Sequence, residues 1–334
     1  RYRLSDVDHI LFKLVDYGSP GIVDYPIGSC VHTGPLAHLH GSYFVQWNLY
    51  DDALFVRSMA EDSSDGRSGG VNMDVKDRVI IVTGAGRGIG AAMCRTFAEA
   101  DCQAVIVSDR DEAAAADVAR EIGVRAIVNR CDVSIESEVQ QLVGDTINRF
   151  GRVDIFCSNA GITVKGGLES SNSDWQKMWD VNVMSRLFAA RAVIPHMQER
   201  GEGYLVQTAS AAGLLMEIGS ASYSVTKHAD VAMAEWLSVC YGRSGIRVSV
   251  VCPLGVETDM LDGSDPIHRY LHLHSITAEN AAQSVLEGIR KEEFLILPQA
   301  QVAEFFAMKT DDYDRWIRGF QRLRQKLTRD QNTV

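Results

Sequence analysis

Arg78-Val79-Ile80-Ile81-Val82-Thr83-Gly84-Ala85-Gly86-Arg87-Gly88-Ile89-Gly90 decides the fold of this 334-residue chain. Four branched apolar residues in a row suit a strand buried on both faces, as in a parallel sheet. The glycines that follow allow a tight turn and let a pyrophosphate approach the backbone. An Ala-rich helical stretch, Ala91 to Ala100, comes next. Its N-terminus would offer free N–H groups and the positive end of the helix dipole to that anion. The spacing is Gly-x-x-x-Gly-x-Gly, over Gly84, Gly88 and Gly90 with Gly86 between, and the strand–loop–helix setting points to nucleotide binding.

Outward from this turn, strand and helix alternate. Residues 104–108, 125–128 and 153–157 read as strands, and 111–122 and 136–150 as helices. The alternation continues through 204–208 and 247–252. It predicts an α/β fold: a Rossmann-like, doubly wound parallel sheet with helices on both faces. Residues 1–72 follow no sustained period and end in a Gly/Ser/Asp-rich linker, residues 61–70. The expected organisation is therefore an irregular N-terminal extension over 1–72, a nucleotide-binding domain over 73–300 and a helical tail over 301–334. Met73, at the start of the regular pattern, marks where the folding information is expected to begin.

Composition narrows the function. Lys+Arg total 33 against Asp+Glu 44, a formal net charge of −11. Such a surface repels phosphate backbones, so nucleic acid is not an expected partner. No apolar run approaches the roughly 18–20 residues that span a bilayer, and the N-terminus lacks an apolar signal core. The seven cysteines at 30, 94, 102, 131, 157, 240 and 252 form no CxxC. They read as buried small apolar groups in a reducing cytoplasm.

Asp109 closes the second strand, 19 residues past Gly90. A carboxylate there can accept hydrogen bonds from a ribose 2′-OH and would repel a 2′-phosphate, which favours NAD over NADP. Asp109 could instead cap the next helix, and Arg87 or Arg110 could accommodate a phosphate. Tyr223 and Lys227 stand at i and i+4 on one helical face. A nearby cation favours the phenolate, so the phenol could exchange a proton with an alcohol or carbonyl oxygen. Ser210, 13 residues before Tyr223, can hydrogen-bond the same oxygen. Asn182, in Asp180-Val181-Asn182-Val183, is costly in a buried helix unless hydrogen-bonded. Ser158-Asn159-Ala160-Gly161 follows the fourth strand.

Residues 73 to about 300 resemble the short-chain dehydrogenase/reductase family. The likeness rests on Thr83–Gly90, Asp132-Val133, Ser158–Gly161, Asn182, Ser210 and Tyr223/Lys227, in family order and spacing. It implies that Tyr223 is the general acid/base and that Lys227 lowers its pKa and binds the nicotinamide ribose. Ser210 would orient the substrate oxygen, and Asn182 would hold a proton-relay water. Gly84, Gly86, Arg87, Gly88, Ile89 and Gly90 would cradle the cofactor. Asp132 and Val133 would flank the adenine, Asn159 would line the cleft, and Val256 and Thr258 would meet the carboxamide. Leu254 stands where the family usually has glycine, and it would be strained if the site needs a positive φ. The likeness also implies a homodimer or homotetramer, built through the helices that carry Asn182 and Tyr223.

Specificity is expected from residues 213–220 and 259–275. The first of these loops is apolar, with Leu214, Leu215, Met216 and Ile218. Leu214 and Met216, with Ser210 and Tyr223, are the candidate substrate contacts. The expected reaction is NAD(H)-dependent interconversion of a hydrophobic secondary alcohol and its ketone, without metal. The alternatives are an NADPH-dependent carbonyl reductase and a non-catalytic dinucleotide-binding sensor or scaffold, whose mark would be a broken tetrad. His268, His272 and His274, and Cys30, His32, His38 and His40, fit no standard metal site. Trp316, Phe320, Leu323 and Leu327 form an apolar stripe flanked by arginines, expected to dock on the chain's own domain or a partner subunit.

Overall fold

The computed structural model describes residues 73–261 and 271–329. The expected extension over 1–72, with Cys30 and its neighbouring histidines, lies outside these residues, as do His268 and most of one expected specificity loop.

The first unit runs β1 (Val79–Thr83), α1 (Gly88–Glu99), β2 (Ala104–Asp109), α2 (Glu112–Ile122), β3 (Ala126–Arg130), α3 (Glu136–Phe150) and β4 (Ile155–Ser158). The second runs α4 (Asn172–Trp179), a π turn (Asp180–Met184), α5 (Ser185–Arg200), β5 (Gly203–Thr208), α6 (Ala221–Tyr241) and β6 (Ile246–Val251). Then come β7 (Gly255–Val256), β8 (Ser275–Ile276), α7 (Ala278–Lys291), β9 (Leu295–Ile296), α8 (Gln301–Asp311) and α9 (Tyr313–Arg329). Among the described residues the strands form a parallel seven-stranded sheet, ordered β3-β2-β1-β4-β5-β6-β9. The short β7–β8 pair stands apart.

Side chains alternate across the sheet. From β1, Ile80 and Val82 enter one core with Phe97 of α1, Val118 of α2 and Val285 of α7. Val79 and Ile81 enter the other with Leu142 of α3, Val193 of α5 and Leu237 of α6. Covering both faces explains why β1 is buried throughout and reads as an unbroken apolar run. At the opposite end from the glycine turn, buried Asp154 accepts from the backbone N–H of Val79 at 2.8 Å and from Arg200 at 2.8 Å, and pairs with Arg152. These bonds tie the start of β1 to the start of β4.

The order reverses between β1 and β4. In open α/β sheets the ligand crevice lies at that reversal, beyond the carboxyl ends of the strands. Of the described cysteines, Cys94, Cys102, Cys131, Cys157 and Cys252 are buried, as expected, but Cys240 is exposed. It lies near the end of α6 on the face away from the sheet. No helix among the described residues is long and apolar enough to cross a membrane.

Candidate active site

A cavity of about 1080 Å³ opens over the carboxyl ends of the strands, and the glycine turn forms one end of it. Gly84 has φ +63°, and a Cβ there would lie 2.6 Å from the Ala160 Cα. Only glycine permits that approach of the β1 and β4 loops. Gly88 has φ +54° and faces Thr258 across the cleft, where a Cβ would come within 3.1 Å of the threonine methyl. Helix α1 begins here without a side-chain cap at Arg87, whereas Asp111, Ser171, Ser220 and Thr277 cap α2, α4, α6 and α7. Its first N–H groups are left without a side-chain acceptor, beside the cavity that Arg87, Gly88 and Ile89 line. The glycine cradle and this uncapped helix fit the pyrophosphate of a dinucleotide.

Asp109 ends β2 and lines the cavity. Its carboxylate accepts from the Gly86 N–H at 2.9 Å and the Asp111 N–H at 3.0 Å. The cap of α2 is Asp111, which accepts from Ala114 N–H at 3.1 Å. Asp109 is therefore not the cap, and its remaining lone pairs are open to the cleft. The Arg87 guanidinium pairs with Asp111 at 3.2 Å and Asp259 at 3.7 Å. Arg110, Asp132 and Val133 also line the cavity. Burial works to raise the Asp132 carboxyl, but hydrogen bonds from the Ser134 hydroxyl and N–H hold it below the usual range. Asn159 donates to the carbonyls of Thr83 at 3.1 Å and Gly84 at 3.2 Å, fixing the turn against β4.

Tyr223 sits in the first turn of α6. Ser220 caps that helix, accepting from the Tyr223 N–H at 3.1 Å and donating to Val164 O at 2.6 Å. The Lys227 ammonium lies 5.7 Å from the centre of the Tyr223 ring. Ser210, two residues past β5, accepts from the Ala212 N–H at 3.1 Å and lies close enough to the phenol to favour its ionised form. Tyr223, Lys227 and Ser210 all line the cavity. Burial pushes the Tyr223 phenol above its ordinary value, and the nearby Ser210 hydroxyl and Arg186 charge only partly offset it. Desolvation by burial is the largest influence on the phenol.

Asn182 is fully buried in the π turn, where a plain helix was expected. Its amide oxygen accepts from the Ile162 N–H at 2.9 Å, and its nitrogen donates to Ile162 O at 3.0 Å and Thr226 Oγ1 at 3.1 Å. The side chain clamps the loop after β4 to α6 and does not itself line the cavity.

Leu254 lies outside the left-handed region, so it carries no such strain. Its N–H donates to buried Gln299 at 3.1 Å, and Gln299 donates to Gly255 O at 2.6 Å. Gln299 thereby holds the segment that brings Val256 and Thr258 to the cleft. Sequence offered no signal for it. Leu214 was expected at the substrate but belongs to the core. Its carbonyl accepts from the buried Lys309 ammonium of α8 at 2.6 Å. Leu215, Met216 and Ile218 do line the cavity, and Met216 holds φ 106°, a conformation that side chains avoid.

The far wall comes from the C-terminus. Trp316, Phe320, Leu323 and Leu327 of α9 face the same cavity, as do Phe305 and Met308 of α8. The apolar stripe was legible; its position over the site was not. Arg315 and Arg322 bring cations to this wall, beside Asp311 and Asp312. Among the described residues, no three His, Cys, Asp or Glu side chains are grouped to hold a metal ion.

Known proteins resemble this chain in sequence and in fold. The short chain dehydrogenase family model matches residues 78–266. A 1-deoxy-11-beta-hydroxypentalenate dehydrogenase of Streptomyces exfoliatus is 30% identical over 73% of this chain and 91% of its own. A meso-2,3-butanediol dehydrogenase of Serratia marcescens is 33% identical over 57% of this chain and 76% of its own. A short chain dehydrogenase/reductase from Burkholderia phymatum, solved in complex with NAD, superposes with TM-score 0.67 at 28% identity, covering 72% of this chain and 96% of its own. The family match extends over more than half the chain and includes the glycine turn, Asn182, Ser210 and the Tyr223/Lys227 pair, so this protein belongs to the short-chain dehydrogenase/reductase family.

Proposed function

We propose that this protein is an NAD(H)-dependent oxidoreductase that interconverts a hydrophobic secondary alcohol and its ketone, with Tyr223 as general acid and base. The observation that carries this reading is the Tyr223 phenol and Lys227 ammonium held together at the edge of a cavity whose other end is a glycine cradle. A bound nicotinamide supplies the hydride acceptor and donor. Burial keeps the Tyr223 phenol protonated at neutral pH, ready to donate to a ketone oxygen; in the reverse direction it first gives its proton to solvent, and the phenolate so formed takes the hydroxyl proton. Ser210 orients that oxygen. The Lys227 cation favours the phenolate as it forms.

Asp109 supports NAD, because its carboxylate faces the cleft where a ribose 2′-hydroxyl would donate. The second reading, an NADPH-dependent carbonyl reductase, draws on Arg110, which also lines the cavity. Affinities for NAD+ and NADP+ separate the two, and equal or tighter NADP+ binding overturns the NAD reading. The apolar wall of Leu215, Met216, Ile218 and α9 supports a hydrophobic substrate. Relatives named for a hydroxypentalenate and a butanediol are consistent with a hydroxyl-bearing one. The exposed apolar residues Val225, Trp236 and Val239 on the outer face of α6 support a homo-oligomer. The free, buried thiols are consistent with a reducing compartment such as the cytoplasm.

A screen of hydrophobic secondary alcohols with NAD+, followed by NADH absorbance, tests the reaction. Turnover is expected to fall by about 10²–10⁴-fold in Tyr223→Phe. Undiminished turnover in that variant would overturn the assignment of Tyr223.

A further inference from the structure

Beneath Tyr223 lies a charge cluster of which the chemistry above uses only Lys227. Arg186 of α5 is 1% exposed, Lys227 of α6 is 3% and Asp230 of α6 is 0%. Asp230 accepts from Arg186 Nε at 3.3 Å through one oxygen and from Lys227 Nζ at 3.3 Å through the other. The Gln207 amide, with its nitrogen toward Asp230, donates to the same carboxylate at 3.2 Å. Arg186 also donates to Ala160 O at 2.6 Å, Val181 O at 3.1 Å, Ser185 Oγ at 2.9 Å and Thr208 O at 3.3 Å. Those contacts join the loop after β4, the π turn holding Asn182, and the end of β5 just before Ser210. Lys227 Nζ donates to Thr208 O at 2.8 Å.

An ammonium has three N–H bonds. Thr208 and Asp230 take two, which leaves one for the cleft that Lys227 lines. A buried guanidinium and a buried ammonium repel each other, an anion touching both offsets that repulsion, and breaking a buried ion pair is strongly destabilising. Asp230 is the carboxylate that touches both.

We propose that Asp230 and Arg186 are positioning residues for Lys227: Asp230 keeps the ammonium charged and aims its third N–H at the cleft, while Arg186 locks together the segments that carry Asn182 and Ser210. This rests on the oxidoreductase reading above. The forces on Lys227 oppose one another. Burial pushes it down to about 8; Asp230 opposes this by charge and hydrogen bond, and Arg186 adds to the lowering. The other facing groups are Tyr223 on α6 and Cys252 after β6, whose thiol burial pushes up to about 12, so both are neutral near pH 7. Without Asp230 the lysine loses its proton within the neutral range.

The test is an NMR titration of lysine side chains in the full chain, with Lys227 assigned by Lys227→Gln. The native midpoint is expected near 8. Asp230→Asn is expected to lower it by at least about one pH unit, a tenfold change in proton affinity. Arg186→Gln is expected to raise it. The double variant removes both charges at once and is the better tolerated if a single change prevents folding; its midpoint is expected between that of Asp230→Asn and the native value. A native midpoint near that of free lysine, an unmoved midpoint in folded Asp230→Asn, or a double-variant midpoint no lower than that of Arg186→Gln overturns the proposal. NADH titration by fluorescence runs alongside. Absence of NADH binding by the native protein overturns the oxidoreductase reading, whereas the lysine midpoints judge the cluster independently.

Discussion

Asp109 and Met216 both line the cleft, and each is held in place by its backbone surroundings. Both Asp109 oxygens are steered by backbone N–H groups, of Gly86 and Asp111, so the carboxylate presents a fixed acceptor at the end of β2. Hydrogen bonds to charged groups contribute about 1.5–3 kcal/mol. Asp109→Ala is therefore expected to weaken NAD+ binding by about 10–100-fold while NADP+ binding holds or improves; isothermal titration with both nucleotides measures this. Met216 holds a left-handed φ that costs on the order of 1–3 kcal/mol in a side-chain-bearing residue. Met216→Gly relieves that strain and removes a wall of the cavity. The expected outcome is an unchanged or higher Tm with a raised KM for the hydrophobic alcohol. A lower Tm would show that Met216 packing outweighs its backbone strain.

At the scale of elements, the active end of the sheet is assembled by clamps between segments distant in sequence. Asn182 joins the π turn to Ile162 and Thr226, and such turns recur at functional sites. Gln299 holds the segment after β6, and Lys309 of α8 holds the loop after β5 through Leu214 O. Lys309→Met leaves that carbonyl unpaired, at a cost of about 1–3 kcal/mol. The loop carrying Leu215 and Met216 should loosen. A several-fold rise in KM with little change in NADH affinity is expected from steady-state kinetics and fluorescence titration. Equal losses in both would instead mean that Lys309 supports the whole domain.

The whole molecule raises the question of how this domain meets its surroundings. Trp236 is 57% exposed and Val239 82%, on the face of α6 turned away from the sheet. In a homo-oligomer built on this face, Trp236→Glu should shift the species seen by light scattering toward monomer; an unchanged mass would place the interface elsewhere. Residues 73–334, expressed alone, are expected to fold and bind NADH, since Met73 and Val75 already belong to the buried core.

Much of this architecture was legible in the chain itself. Strands covered on both faces must be apolar at every position, so 79–82 and 104–107 announced a parallel sheet. The glycine turn and the Tyr223/Lys227 spacing were readable because turns and helix faces are local, set within a few residues. Local pattern could not reveal Asp230 beside Arg186, 44 positions away, because a buried charge is tolerable only through a partner that the fold brings to it. Nor could it put the α9 stripe over the cavity, since an apolar helix face states that it will be covered but not by what. Sequence alone thus determined the strands, the glycine turn and the Tyr223/Lys227 pairing, all of them short-range. Tertiary structure decided the burial that raises the Tyr223 phenol, the ion cluster beneath it and the far wall of the site, because desolvation and long-range pairing exist only once the chain has closed on itself.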